Sequence, residues 1–230
     1  MLNFMYTPSQ RLSEAQLQQA CREGEIIEQD PRGPKVIRLP HGDFLKIFRA
    51  RRVFSGARLY SHARRFYRNA LRLQALQIPT VTMKSLHHLD HAGHTAVIYQ
   101  PLAGQTLRQL IATDLARLYP LAAKLGTFLA RLHDKGVHFH SLHSGNVLLM
   151  PNDEFGLIDV SDMTIYPWSL MCATRIRSFV RLGKYHAEMA ALDAAFWQEV
   201  MRGYEQASAK AGRCGPRIFS SIDYLHGPSA

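Results

Sequence analysis

The chain has 230 residues, of which 47% are apolar and 20% charged, and it carries a formal net charge of +10. That length suits one large domain or two small lobes, and no apolar run approaches the roughly 20 residues that a membrane-spanning helix needs. Three scattered cysteines, Cys21, Cys172 and Cys214, argue against a disulfide framework or a zinc ribbon. The opening stretch MLNFMYTPSQRLSEAQLQQA lacks a basic start, an apolar centre and a small-residue cleavage site. It is therefore not read as a secretory signal, and a cytosolic chain is the simplest expectation.

Residues 9–23 spell SQRLSEAQLQQACRE, a short helix with Ser9 or Ser13 as its cap. From Gly24 the pattern changes. GEIIEQD, the turn DPRGPK, VIRLP, the turn HGD and FLKIF predict three antiparallel strands. ARLYSHARRFYRNALRLQAL then has helical periodicity, with Leu59, Ala63, Phe66, Ala70 and Leu73 on one face and Arg58, Arg65, Arg68 and Arg72 on another. These arginines belong to a wider imbalance, because Phe44 to Leu89 contains ten Lys or Arg residues and no Asp or Glu. Such a block favours a polyanionic partner, whether nucleic acid, an anionic membrane face or a phosphorylated glycolipid; the plainer alternative is a merely basic surface. IPTVTMKSL and HTAVIYQ predict two more strands, separated by HHLDHAG.

After the linker-like QPLAGQT the chain reads as helical. Asp114 to Lys135 carries Leu118, Leu121, Leu125, Phe128, Leu129 and Leu132 and stops at Gly136, with Pro120 best placed in its first turn. GVHFHSLHSGNVLL follows, then the turn MPNDE, the short strand FGLID, and helices over about 168–182 and 187–209. The tail from Gly212, bearing Gly, Pro and Ser, is expected to be loosely ordered. Five strands around one helix, then a mostly helical half, suggest an α+β protein of two lobes with a cleft between them.

GVHFHSLHSGNVLL holds His138, His140 and His143, and HxHxxH could supply three imidazoles to zinc or iron. No convincing downstream carboxylate and histidine complete such a site. His87, His88, His91 and His94 span the second hairpin and suit adventitious metal binding at most. Nucleic-acid binding is not expected: Tyr60, Phe66 and Tyr67 fall partly on the buried helix face, and no recognised nucleic-acid motif occurs.

LARLHDKGVHFHSLHSGNVLL followed by FGLIDVSD resembles the catalytic and metal-binding loops of the protein-kinase-like superfamily. Within it, the stretch is most similar to the bacterial lipopolysaccharide core kinases for heptose and Kdo, some relatives of which are labelled toluene-tolerance proteins. The likeness covers Gly24 to Asp162, and the order FLKIF, helix, AVIYQPLAGQTL, long helix, LHSGNVLL, GLID agrees with it. It implies a two-lobed protein-kinase-like fold. A helical extension would occupy 1–22, a small antiparallel β lobe with one main helix and the hinge 23–104, a mostly helical lobe 105–211 and a tail 212–230. It also implies ATP as phosphoryl donor and Mg²⁺ as cofactor. The acceptor would be a sugar hydroxyl of the lipopolysaccharide core, or of another phosphorylated glycolipid, at the cytoplasmic face of the inner membrane.

The resemblance assigns Mg²⁺ binding to Asn146 and Asp159, phosphate contact to Lys46, and the adenine edge to the backbone of Tyr99, Gln100 and Leu102. Without it, Asn146 reads as a turn residue, Asp159 as the close of a strand, and Lys46 as a lysine snorkelling at a strand edge. Arg58, Arg65, Arg68 and Arg72 are candidates for docking an anionic acceptor or membrane. Asp162 either adds a carboxylate near the metal or caps the following turn. Three departures stand out. Ser141 occupies the position of the aspartate that accepts the acceptor's proton, leaving His140 or His143 to supply basicity. The arginine-rich helix offers no glutamate to Lys46, which leaves Asp159 as its other potential partner. The glycine-rich loop is reduced to DPRGPK, with Gly33 alone. These losses keep open a pseudokinase that binds nucleotide without turnover.

Overall fold

Strand β4 (Phe44–Arg49) shows how the alternating pattern organises the N-terminal unit of the computed structural model. Leu45 and Ile47 point to one face, where they join Ile37, Leu89 and Ala96 in a core covered by Leu17, Ala20 and Cys21 of helix α1 (Glu14–Glu23). Phe44, Lys46 and Phe48 point to the other face, toward Phe66 of helix α2 (His62–Ala75) and Tyr99. The period of two along a strand sends successive side chains to opposite faces. The unit spans Met1–Leu102 and a second unit Ala103–Ala230; residues 8–49, 62–91 and 93–226 are described.

The sheet of the first unit also contains β1 (Ser9–Leu12), β2 (Glu25–Asp30), β3 (Gly33–Arg38), β5 (Thr82–Leu89) and β6 (His94–Gln100), in the order β1-β5-β6-β4-β3-β2. β2 to β6 pair antiparallel, whereas β1 runs parallel to β5, so the sheet is mixed. The segment expected to be helical from residue 9 therefore divides at Ser13. Ser13 caps α1 in a capping box with Gln16, and the four residues before it extend the sheet. β5 reaches through His87 and His88 into the stretch expected to be a loop.

In the second unit, Thr106 ends the short strand β7 (Gln105–Thr106) and caps α3 (Leu107–Thr113). The helix expected over Asp114 to Lys135 is interrupted. α4 (Leu115–Leu118) is followed by a 3₁₀ turn, Tyr119–Leu121, and then α5 (Ala122–Asp134). Pro120 is the cause, since it has no N–H and cannot continue an α-helical ladder. Beyond α5 lie β8 (Val137–Phe139), β9 (Val147–Leu149), β10 (Phe155–Leu157), β11 (Met163–Ile165), α6 (Cys172–Leu182), α7 (His186–Ala190), α8 (Ala194–Gln206) and α9 (Ala209–Ser220). A Cβ on Gly126 would collide with the Val200 carbonyl, and one on Gly203 with the Ala123 carbonyl, so α5 and α8 touch backbone to backbone.

Two expectations are overturned here. The tail from Gly212 is not loose: α9 buries Ala211, Cys214, Gly215 and Ile218 at helical spacing and is capped by Ser208. Its Gly and Pro residues hid an amphipathic helix; a Cβ on Gly215 would strike the Glu205 side chain of α8. The cysteines are not all unpaired either. Cys172 and Cys214 form a disulfide between α6 and α9, a pairing that a separation of 42 residues does not advertise. Cys21 is free. Among the described residues no helix is long and apolar enough to cross a membrane.

Candidate functional site

The histidine-bearing stretch and FGLIDVSD are held together by two antiparallel ladders. β9 pairs with β10, Val147 opposite Leu157, and β8 pairs with β11, Phe139 opposite Met163. Between the ladders the chain forms two loops, 140–146 and 158–162. Three bonds join these loops. Ile158 N–H donates to the Asn146 carbonyl at 3.1 Å and His140 N–H to the Asp162 carbonyl at 2.9 Å. The Ser141 hydroxyl donates to Asp162 Oδ2 at 3.2 Å. Asn146 directly precedes β9 and Asp159 follows β10 by two residues, so the hairpin puts both at the same end.

Asn146 is 7% exposed, and its Nδ2 donates to the Ser141 carbonyl at 2.9 Å. That bond fixes the amide's orientation and leaves Oδ1, its only atom able to ligate a cation, outside the loop's own bonding. Asp159 adopts φ 52°, in the left-handed region, which aspartate enters more readily than most residues with a Cβ. A two-residue metal site of this kind fits Mg²⁺, which takes few protein oxygens. Among the described residues no three His, Cys, Asp or Glu side chains converge, so HxHxxH does not form a three-imidazole site in this structure.

Each histidine is placed within this frame. His138 is buried beneath the loop; Arg181 of α6 donates to its Nε2 at 2.8 Å, and burial with neighbouring His140 and Arg181 pushes its pKa down to about 4. His140 Nε2 lies 3.1 Å from Thr164 Oγ1. His143 Nδ1 accepts the Gly145 N–H at 3.1 Å, and its Nε2 lies 3.2 Å from Asn146 Nδ2. Burial lowers the His143 pKa, helped by Arg108 and Lys184 and opposed by Glu188 and Asp159. His143 is thus anchored inside the loop through Nδ1, while Ser141 meets a carboxylate, Asp162.

A brace from α3 and α7 supports the loop from behind, and nothing in the sequence pattern points to it. Arg108 bonds Glu188 at 2.6 Å and stacks 4.5 Å over the Tyr185 ring; Ser144 donates to the same Glu188. The Arg108 N–H also donates to the Ser144 carbonyl at 3.1 Å. Separations of 80 and 44 residues leave no local signal of these contacts.

In the first unit, Lys46 is 6% exposed on β4, which lies between β3 and β6. It is not a strand-edge lysine, and its ammonium stands 5.5 Å from the Phe66 ring centroid. α2 offers it no carboxylate. Tyr99 packs its ring against Phe44 and Phe66 and stands opposite Phe44 of β4 and Met83 of β5; Gln100 ends β6, and Leu102 closes the unit. Of the arginine stripe, Arg68 is exposed and Arg65 and Arg72 are half-buried, with burial and Arg68 lowering the Arg72 pKa. Arg58 lies outside the described residues. No protein-family model matches the chain, and a search of curated proteins finds no similar sequence.

Proposed function

We propose that the chain is a kinase-like phosphotransferase that uses ATP and Mg²⁺ to phosphorylate a sugar hydroxyl of the lipopolysaccharide inner core, or of a related phosphorylated glycolipid, from the cytoplasmic side of the membrane. The observation that carries it is the placement of Asn146, its amide anchored on Ser141, and of Asp159 at one end of the β9–β10 hairpin. Support also comes from the first unit, where β2 to β6 form an antiparallel run with α2 inserted between β4 and β5 and a buried lysine on β4. Both agree with a two-lobed protein-kinase-like architecture.

In this assignment Asn146 Oδ1 and the Asp159 carboxylate hold Mg²⁺, Lys46 contacts the phosphates, and the backbone from Tyr99 to Leu102 meets the adenine. Held by those two side chains, Mg²⁺ would supply positive charge to offset the negative charge of the transferring phosphoryl group. Ser141, beside His140 and His143, sits where the acceptor hydroxyl is oriented, and Asp162 supplies the carboxylate that position 141 lacks. Arg58, Arg65, Arg68 and Arg72 remain candidates for the acceptor's phosphates.

A pseudokinase is favoured by one specific observation, the serine at position 141. A thermal shift separates these readings from everything else: ATP with Mg²⁺ raises the melting temperature of the parent chain, and Asp159→Ala abolishes the increment. A parent chain that does not respond sinks both. Mass spectrometry of core oligosaccharide from a deletion strain then divides them, because a kinase leaves the mutant short of a phosphate and a pseudokinase does not.

A further inference from the structure

The stretch from Met163 to Ala187 contains no Asp or Glu, and it carries Arg175, Arg177, Arg181 and Lys184. Six large hydrophobic side chains are exposed among the described residues, and four of them fall in this stretch: Trp168 at 62%, Met171 at 66%, Val180 at 55% and Tyr185 at 36%. α6 explains the coincidence. One face buries Arg175, Ser178, Phe179 and Leu182. The opposite face presents Arg177 and Val180, three residues apart, to solvent, and Lys184, just beyond the helix end, is exposed as well. Lys210 of α9 donates to the Ser169 carbonyl at 3.0 Å and adds a further cation beside the Trp168–Met171 loop.

We infer that this face is a second, lipid-facing surface that seats the C-terminal unit on a bilayer carrying anionic headgroups. A large amphipathic ring and a flexible thioether exposed among cations, with no carboxylate in the stretch, match an interface that is apolar at acyl depth and negative at headgroup depth. The exposed side chains of this stretch include cations and no carboxylate, which complements anionic lipid. α6 also touches the site, since its Arg181 holds His138 directly before the catalytic loop. Docking would therefore bring the 140–146 loop to the lipid surface on which a glycolipid acceptor resides. Binding needs no nucleotide, so it stands or falls separately from the phosphotransfer assignment.

The test is co-sedimentation of the full chain with phosphatidylcholine vesicles with and without phosphatidylglycerol, read together with tryptophan emission. Trp197 is 1% exposed, so a blue shift on vesicle addition reports Trp168. Mixed vesicles should bind the chain and shift the emission, and added salt should weaken both. Trp168→Ala with Met171→Ser should reduce partitioning about tenfold or more, and Arg177→Gln with Lys184→Gln should reduce it by about tenfold on mixed vesicles. All four positions are exposed, so the variants should melt as the parent does. The inference is overturned by any of four results: no parent binding to mixed vesicles, binding that survives the Trp168 and Met171 changes, binding lost only when Arg65, Arg68 and Arg72 are neutralised, or a dimer that Trp168→Ala dissolves.

Discussion

Two polar networks lie in the C-terminal unit, and they are built to opposite specifications. Around Arg175, which is 0% exposed, the guanidinium bonds Asp134 at 2.5 Å, Ser169 Oγ at 2.8 Å, Tyr204 Oη at 3.0 Å and the Leu170 carbonyl at 3.0 Å. His133 joins the set through Tyr204 at 2.9 Å, and its Nε2 alone is buried there without a partner. Burial pushes His133 down to about 3 and Tyr204 up to about 12. Around Ser141 the side chains of Ser141, Asp159 and Asp162 are half-buried, the Ser141 hydroxyl meets Asp162, and Asp159 is held in a left-handed backbone conformation. A buried charge persists only when each of its hydrogen-bonding positions is matched, whereas a reacting site must keep acceptors available to a ligand. The first network holds helices α5, α6 and α8 together; the second holds two loops.

The largest expected effect is on the Arg175 network. Arg175→Ala strips Asp134, Tyr204 and the Leu170 carbonyl of a shared partner and opens a cavity, so unfolding free energy should fall by about 3–5 kcal/mol in denaturant titration. A loss below about 1 kcal/mol would mean that water replaces the guanidinium and that the network is not sealed. Next comes Asp162→Asn. If the carboxylate stands in for the base missing at 141, turnover should drop by about 10²–10⁴ with little change in melting temperature. Ser141→Asp combined with Asp162→Asn should recover part of that activity. Equal activity in the parent and Asp162→Asn would assign proton removal to another group.

Acid acts on His133, beside Arg175, and on His138, beside the loop, in the same direction. The folded pKa of His133 lies near 3 and that of His138 near 4, both below the ordinary value of 6.5. The unfolded chain therefore binds more protons than the folded one below that value. The stabilisation from keeping these rings neutral is complete above about pH 6.5 and is lost progressively as the pH falls toward the folded values. Each ring should contribute on the order of 1 kcal/mol per pH unit in that window. For Asp134, burial works to raise the pKa, but hydrogen bonds from Ser208 and Arg175 prevail and lower it, so its loss of stability in acid adds in the same direction. Urea titrations between about pH 7 and pH 5 should show the slope, and His133→Phe should flatten it. An unchanged slope in that variant would place the titrating group elsewhere.

How much of this was legible in the sequence depended on distance along the chain. The strands of the first unit, α2 and its buried face followed from periods of 2 and 3.6 over consecutive residues. Asn146 and Asp159 stood out because local patterns, GNVLL and GLID, put each at the end of a short strand. The Ser141–Asp162 contact has no local signal, because 21 residues separate the two and the β8–β11 ladder brings them together. The Arg108–Glu188 brace and the Cys172–Cys214 bond were hidden for the same reason. The tail misled differently. Gly and Pro are ordinarily turn signals, but in α9 Gly215 gives room to Glu205, and burial of Cys214 and Ile218 outweighs the poor helix propensity of Pro216.

The smallest effect gives the most direct test of the contrast. Ser141→Ala removes one hydroxyl whose partner, Asp162, is half-buried and can turn to solvent, so stability should change by about 1 kcal/mol or less. Tyr204→Phe also removes one hydroxyl, but that oxygen serves both Arg175 and His133 and neither can reach water, so about 1–3 kcal/mol should be lost. Paired denaturant titrations of the two variants against the parent compare identical chemistry in the two settings. Equal losses would show that the loop network is as closed as the helical one and would remove the structural basis for reading it as the reacting site.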